Sequence, residues 1–366
     1  MTHFVSGLLS DRADDGRPRV LGIGLILVVA NLAAWLWALA AFAGQPVLLG
    51  TALLAYSLGL RHGLDPDHIA AIDNVTRRLM QEGKRPVAVG FFFALGHSAV
   101  VVVASAGVAL AAGAFVDHFA RLREVGAVVG TCASALFLFA IATANLMVLA
   151  GVYRAFRRVR AGHALREEEL DALLAQRGWL ARLFRPMFRV VSRSWHLFPI
   201  GVVFALGFDT ASAISLFGLS VQASQDASAW SILVFPALFA AAMTLVDTAD
   251  GILMLGAYGW AFAEPVRKLF YNLAITFVSV VVALVIGGIE VLAFVAEHAG
   301  SQGAFWRVVT QANAHFATIG YVIVVVFAAA WIGSLLLYRL RGEERAPARC
   351  ATTNSDIRAV SALEKK

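Results

Sequence analysis

Residues 61–73 read Arg61-His62-Gly63-Leu64-Asp65-Pro66-Asp67-His68-Ile69-Ala70-Ala71-Ile72-Asp73, and they continue a hydrophobic run that begins at Val47. Two histidines, three aspartates and an arginine therefore lie where a membrane helix should be apolar. A charge at the bilayer centre costs roughly 2.5–3.5 kcal/mol on insertion scales, so such groups pair, face a polar cavity or bind a ligand. Imidazole and carboxylate at helical spacing are donors for a divalent metal ion. The stretch predicts a metal site within a transmembrane helix.

The composition indicates a polytopic membrane protein. The 366 residues are 60% hydrophobic and 15% charged, whereas a soluble protein carries about 25% charged residues. Eight apolar runs are long enough to cross a hydrocarbon core of ~30 Å, which takes about 20 helical residues. These runs, called segments one to eight, lie at 20–43, 47–73, 86–114, 125–153, 197–222, 229–258, 268–296 and 315–338. The predicted fold class is all-α, an integral membrane protein with eight transmembrane helices.

The distribution of lysine and arginine predicts that both termini are cytoplasmic. In that orientation, 26 of the 30 basic residues fall in the N-terminal segment, the inner loops and the tail, and only three fall in outer loops. This asymmetry follows the positive-inside rule. The net charge of +6 is explained by orientation in the membrane, so no nucleic-acid partner is needed.

The eight predicted segments and the charge distribution divide the chain into five parts. They are a cytoplasmic N-terminal segment (1–19), transmembrane helices one to four (20–153), a basic cytoplasmic loop (154–196), transmembrane helices five to eight (197–338) and a cytoplasmic tail (339–366). The loop interleaves aromatic and leucine residues with arginines, which is typical of a helix lying on the anionic inner leaflet. Small and charged residues dominate the tail, which predicts disorder.

Segment two presents its polar side chains on neighbouring faces. At 100° per residue, His62, Asp65 and Asp73 fall within about 80° of one another, and His68 lies some 60° further round. Asp67 would point elsewhere on a straight helix. Pro66 removes a backbone donor and disfavours helical geometry at the residue before it, so a break here could bring Asp67 round. The competing interpretation is an interhelical hydrogen-bond cluster.

Three further segments carry polar groups at compatible depth. Histidine lies in segment three and aspartate in segments five and six, at His97, Asp209, Asp247 and Asp250. Asp247 and Asp250 are three residues apart and share a helix face. For each aspartate, pairing with Arg61 or capping a broken helix is an alternative to binding metal. Residue counting places these groups near mid-membrane or in the inner half, where they can converge on one site.

Four stretches together resemble the motifs of the nickel/cobalt permease family. They are residues 61–69, Leu95-Gly96-His97-Ser98, Leu206-Gly207-Phe208-Asp209-Thr210-Ala211-Ser212 and Met243-Thr244-Leu245-Val246-Asp247-Thr248-Ala249-Asp250-Gly251, in the family's order. The resemblance covers essentially the whole chain and is nearest to the hydrogenase-associated nickel permeases. It implies high-affinity uptake of Ni²⁺, Co²⁺ or both across the bacterial cytoplasmic (inner) membrane.

The resemblance also implies roles for individual residues. The metal positions expected first are His62, Asp67 and His68, followed by His97, Asp65, Asp209, Asp247 and Asp250. Residues expected along the path or behind the ligands are Arg61, Asp73, Thr210 and Thr248. One departure from the family pattern is Ala213, which stands where a glutamate is usual. This departure makes a transporter with altered selectivity among the same metals one alternative. The other is an exporter of those metals, because sequence chemistry alone does not determine the direction of transport.

The expected partners are the transported divalent ion and the lipid bilayer. No P-loop motif is present in the sequence, so the membrane potential or a proton gradient would drive transport without ATP, and no obligate ATPase subunit or resident cofactor is evident. Two other classes of protein fit the sequence less well. An intramembrane zinc protease is disfavoured because His-Glu-x-x-His is absent. A haem-binding electron carrier is disfavoured by the aspartates around His62, His68 and His97. The protein is thus predicted to be a transporter rather than an enzyme.

Overall fold

The computed structural model of the protein describes residues 11, 16–110, 116–160, 191–206, 231, 233–261, 265–300, 303–316, 318–326, 329 and 332–333. The helices are α1 (Arg17–Ala41), α2 (Pro46–His62), α3 (Pro66–Gln81), α4 (Val89–Leu110), α5 (Val116–Arg160), α6 (Leu197–Phe204), α7 (Val234–Ala261), α8 (Pro265–His298), α9 (Ala304–Ala314) and α10 (Thr318–Val326). One turn of 3₁₀ helix, Ser194–His196, precedes α6. No strand occurs among these residues, which confirms the predicted all-α class.

Within the described residues, five helices are long and apolar enough to cross a membrane, namely α1, α4, α5, α7 and α8. The number reaches seven if each of two bent pairs is one span, α2 with α3 (49°) and α9 with α10 (77°). Six of the seven correspond to segments one to four, six and seven. In the last pair only α10 lies within segment eight, since α9 ends before residue 315. Segment five is described only up to residue 206, so its remainder lies outside the described residues and the eighth span stays a prediction.

The second segment is broken where Gly63 and Pro66 suggest a break. Helix α2 ends at His62, and α3 begins at Pro66. Asp65 between them is extended, with φ −66° and ψ 140°, because a following proline disfavours helical geometry. Proline suits the first helical position, where its missing N–H would have no partner within the helix. The break allows two short helices to present their ends to one place.

The cytoplasmic loop predicted after residue 73 begins later than the sequence suggests. Helix α3 continues to Gln81, and Arg77, which lies between predicted segments two and three, is only 2% exposed. It is buried because α3 lies against both α7 and α8, and Thr276 of α8 supplies a hydrogen-bond acceptor for its guanidinium. The prediction that Arg77 lies in a loop was therefore wrong.

Helix α7 is the centre of the packing, in contact with α1, α2, α3 and α4. Glycines allow these helices to approach closely. A Cβ at Gly59 of α2 would lie 2.3 Å from the Phe239 carbonyl oxygen, and one at Gly90 of α4 would lie 1.9 Å from the Asp247 carbonyl oxygen. Small residues at crossings are the usual means of close packing in membranes, where van der Waals contact replaces the hydrophobic effect.

Three parts of the chain predicted to be cytoplasmic contact one another. The Asp11 carboxylate accepts hydrogen bonds from the Ser194 backbone N–H at 2.8 Å and from its hydroxyl. Lys84 donates to the Ser192 carbonyl at 2.8 Å, and the Arg85 N–H donates to the Asp11 carbonyl at 3.4 Å. The N-terminal segment, the turn after α3 and the end of the basic loop therefore lie on one side of the protein. The predicted interfacial helix and the tail lie outside the described residues.

We predict that Gly90→Ala lowers the free energy of unfolding by about 1–3 kcal/mol, the usual cost of overpacking. The reason is the Asp247 carbonyl oxygen, which would lie 1.9 Å from the new Cβ. Gly107→Ala, in the same helix and with no atom within 4 Å of its Cβ, is the control. It should leave stability unchanged or raise it by up to about 1 kcal/mol. Unfolding of both variants in detergent measures the difference, and equal stability would contradict this packing.

Candidate metal site

Three imidazoles from three helices meet in the interior. His62 is the last residue of α2, His68 lies in the first turn of α3, and His97 lies in α4. Their ring centroids are 4.8 Å (62–68), 4.9 Å (62–97) and 4.8 Å (68–97) apart. One nitrogen from each ring lies within 4.8 Å of the others. We call these three residues the histidine cluster.

Two carboxylates form contacts with the Nδ1 atoms of two of these rings. The His62 Nδ1 lies 2.7 Å from Asp65 Oδ2. The His68 Nδ1 lies 3.2 and 3.3 Å from the two oxygens of Asp247. A carboxylate at Nδ1 requires the ring proton there, which leaves the Nε2 lone pair available, and this arrangement orients metal-ligating histidines in many proteins. Asp65 and Asp247 therefore hold the imidazoles by their outer nitrogens.

The spacing of the ring nitrogens suits a metal ion. His62 Nε2 and His97 Nε2 are 3.0 Å apart. Metal–nitrogen bonds of about 2.1 Å at a right angle place the two nitrogens about 3.0 Å apart. Without metal, one of these facing nitrogens must donate to the other, and His97 is the donor because the His62 proton is on Nδ1. A divalent ion can replace that proton without moving either ring far.

The cluster is enclosed but accessible on one side. His68 and His97 are 0% and 1% exposed, whereas the side chains of His62 and Asp65 are 12% and 10% exposed. Phe93 packs edge-on against His68, with centroids 4.8 Å apart. The other wall is Phe239, 5.4 Å from the His62 ring. Apolar walls raise the strength of polar contacts inside, and the small exposure that remains is at His62 and Asp65.

Other residues of the predicted set differ in position. Asp67 lies half-buried in the first turn of α3 and is not one of the three grouped ligands. Arg61 is exposed and forms no ion pair with any carboxylate in the described part of the chain, so the alternative in which it neutralises the aspartates is wrong for those described. The Thr248 hydroxyl donates to the Thr244 carbonyl of its own helix, at 2.6 Å.

The remaining aspartates lie along the same helices. Asp250 is one turn beyond Asp247 on α7, and its Oδ2 is buried with no hydrogen-bond partner among the described residues. Asp73 is fully buried and accepts hydrogen bonds from the hydroxyls of Tyr258 and Ser279. Three positions of segment five, Asp209, Thr210 and Ala213, lie outside the described residues.

Sequence reasoning missed the partners of Asp73. Tyr258 lies near the C-terminal end of α7 and Ser279 lies on α8, both with hardly any exposure. A serine or tyrosine in an apolar segment is common, so neither residue type is a signal by itself. The buried aspartate was the available signal, since such a group in a membrane interior needs hydrogen-bond donors from neighbouring helices.

The chain is similar to known transport proteins over most of its length. The family described as high-affinity nickel-transport protein (NicO) matches residues 48–337. Identity is 55% over 342 residues to the high-affinity nickel transport protein of Cupriavidus necator, covering 93% of this chain and 97% of that one. It is 50% over 323 residues to the hydrogenase nickel incorporation protein HupN of Bradyrhizobium diazoefficiens, covering 88% and 84%. It is 38% over 347 residues to the cobalt transport protein NhlF of Rhodococcus rhodochrous, covering 93% and 97%. No solved structure matches the chain.

We predict that Asp247→Asn weakens Ni²⁺ binding about 10–100-fold without abolishing it, the usual effect of removing a carboxylate behind a ligating histidine. The amide can no longer fix the His68 proton on Nδ1 as the carboxylate does. Titration of purified protein with Ni²⁺ measures the affinity, and Glu297→Gln, an exposed carboxylate on α8, is the control. An unchanged affinity would contradict the orienting role, and complete loss of binding would make Asp247 a direct ligand.

Proposed function

The chain belongs to the high-affinity nickel-transport protein family, and from this premise we propose that it imports Ni²⁺, and Co²⁺ as a second substrate, across the bacterial cytoplasmic membrane. The histidine cluster would be the site at which the ion sheds water and binds. The protein would act as a transporter and carry out no chemical conversion of its cargo.

The observation that carries this proposal is the arrangement of the three rings. Imidazole nitrogen is a good donor for Ni²⁺ and Co²⁺, and carboxylates behind two of the rings raise their basicity. Such a group of ionisable residues inside an apolar bundle marks an ion pathway more often than a packing device. The observed Nε2–Nε2 distance of 3.0 Å fits a shared ion.

Three further aspartates are proposed as additional ligands or as part of the inward route of the ion. Asp67, half-buried beside His68 in the first turn of α3, would supply an oxygen ligand. Asp209, from the resemblance of segment five, would supply another. Asp250, whose Oδ2 lacks a described partner, would receive the ion as it leaves inward. Carboxylate oxygens bind Ni²⁺ less strongly than imidazoles, so this order favours release.

Orientation and energy source are part of the proposal. The contacts of Asp11 with Ser194 and Arg85 support placing the N-terminal segment, the basic loop and the inner turn on one side. Positive-inside charge makes that side cytoplasmic. Moving two charges across ~100 mV yields about 4.6 kcal/mol, which supports over a thousandfold accumulation without ATP. A proton gradient is the second energy source consistent with the sequence.

We predict that His62→Ala and His97→Ala each abolish uptake of radiolabelled Ni²⁺ at nanomolar concentration. Each variant removes one ring, and the two imidazoles that remain are too few to hold the ion. The measurement is accumulation in a bacterium that lacks its own nickel transporter, with equal amounts of variant in the membrane. His298→Ala, an exposed histidine at the end of α8, is the matched control and should transport like wild type.

Three results would change the assignment. If His62→Ala and His97→Ala both take up Ni²⁺ at the wild-type rate, the histidine cluster is rejected as the transport site. Absence of wild-type uptake, together with faster loss of Ni²⁺ from preloaded cells, would make the protein an exporter. Uptake that appears only in Ala213→Glu would show altered selectivity in the native chain.

A second prediction concerns the choice between metals. Ni²⁺ should be taken up in preference to Co²⁺, because nitrogen and oxygen donors bind Ni²⁺ more tightly in the Irving–Williams order. Excess Co²⁺ should inhibit Ni²⁺ uptake competitively, whereas Mg²⁺ at the same excess should not, since Mg²⁺ prefers oxygen donors. Competition assays at nanomolar Ni²⁺ measure the ranking. Cobalt transport that nickel does not inhibit would contradict a shared imidazole site.

A further inference from the structure

A second polar cluster lies further along α3, beyond the histidine cluster. Asp73 and Arg77 are 0% and 2% exposed, so a carboxylate and a guanidinium are both removed from water. They are one helical turn apart and on the same face. From His68, Asp73 is five residues and Arg77 nine residues further on, about 7.5 and 13.5 Å along the helix axis. In the proposed orientation, this direction leads to the cytoplasm.

Asp73 and the two hydroxyls that donate to it come from three helices. The hydroxyl of Tyr258, from α7, donates to Asp73 Oδ1. The Ser279 hydroxyl, from α8, donates to Oδ2 at 3.0 Å. Each hydroxyl can rotate its proton away and present a lone pair. One carboxylate and two hydroxyls then form a buried, oxygen-only set, which we call the inner oxygen site.

Arg77 lies next to this site without occupying it. Its guanidinium donates to the Thr276 hydroxyl at 2.6 Å and to the Asn74 side-chain oxygen at 3.0 Å. Asn145 of α5 donates to the same Asn74 oxygen. In the described part of the chain, no carboxylate oxygen forms an ion pair with Arg77. The arginine thus balances the charge of Asp73 from a neighbouring position and leaves both carboxylate oxygens to exchangeable hydroxyls.

We propose that Asp73, Tyr258 and Ser279 form a second binding site for the transported divalent cation, and that Arg77 keeps this site weak so that the ion passes on. The proposal rests on the proposed function, since the cargo is the ion released from the histidine cluster. A fixed positive charge one turn away repels an arriving cation and offsets the attraction of the carboxylate. Without that charge, a buried carboxylate with two hydroxyls would retain the ion.

The expected consequence of losing the arginine is retention. Wild-type protein should bind one tight equivalent of Ni²⁺, at the histidine cluster. Arg77→Gln should bind a second tight equivalent and should transport at least tenfold more slowly, because the ion stays at the inner oxygen site. The double variant Asp73→Asn, Arg77→Gln should return to one equivalent, since it lacks the carboxylate that retains the second ion.

The test is equilibrium dialysis of radiolabelled Ni²⁺ against the full-length protein in lipid nanodiscs. The variant His62→Ala, Arg77→Gln should keep one tight equivalent, which locates the retained ion outside the histidine cluster. Thr276→Asp is a second route to the same result. It places a buried carboxylate beside the Arg77 guanidinium, so the positive charge is neutralised there and no longer offsets Asp73, while the arginine itself is retained. Thr310→Asp on exposed α9 adds the same charge elsewhere and should bind as wild type.

The outcomes separate this inference from the proposed function. One equivalent in Arg77→Gln, or in Thr276→Asp where Arg77→Gln does not fold, would overturn the inner oxygen site while leaving nickel import intact. A wild type that binds no Ni²⁺ tightly, beside an Arg77→Gln variant that binds one equivalent insensitive to His62→Ala, would reject the histidine cluster and retain the inner site. A second equivalent that persists in the double variant would place it elsewhere and overturn the proposal.

Discussion

The hydrogen bond between His68 and Asp247 is the contact on which the rest of the site depends. It joins α3 to α7 in the fully buried interior, where neither group has water as an alternative partner. The same residue of α7 also sets the position of α4, because the Asp247 carbonyl lies against Gly90. Two turns further along α4 is His97. One residue therefore orients one ring through its side chain and positions the helix of another through its backbone.

The break between α2 and α3 explains why a single segment can supply two rings to one site. On a continuous helix, residues six apart are separated by about 9 Å along the axis and 120° around it. His62 and His68 instead have ring centroids 4.8 Å apart. Non-helical backbone at membrane depth is tolerated where protein covers it. Here α10 covers the break, since a Cβ at Gly320 would lie 1.9 Å from the Leu64 carbonyl oxygen.

The sequence was sufficient to predict the helical class, most of the spans and the break, because apolar length, Gly63 and Pro66 are local signals. It was also sufficient to mark His62, His68 and His97 as exceptional for a membrane segment. It could not predict that Asp247 forms a hydrogen bond with His68 Nδ1, since that contact joins residues 179 positions apart. Arg77 was misplaced for the same reason: Thr276, its distant acceptor, is what allows it to be buried.

The two clusters, taken as successive sites for one ion, differ in donor type in a physically useful way. Conduction needs a first site that binds strongly enough to strip water and a later one that binds weakly enough to release the ion. Nitrogen donors at the histidine cluster meet the first need, and they also discriminate against Mg²⁺ and Ca²⁺, which prefer oxygen. Oxygen donors beside a fixed guanidinium meet the second. Both sites are anchored on α3 and α7, through His68 with Asp247 and Asp73 with Tyr258. A relative movement of these two helices would therefore alter both sets of ligands at once, which would couple loss of affinity at the first site to the opening of the second.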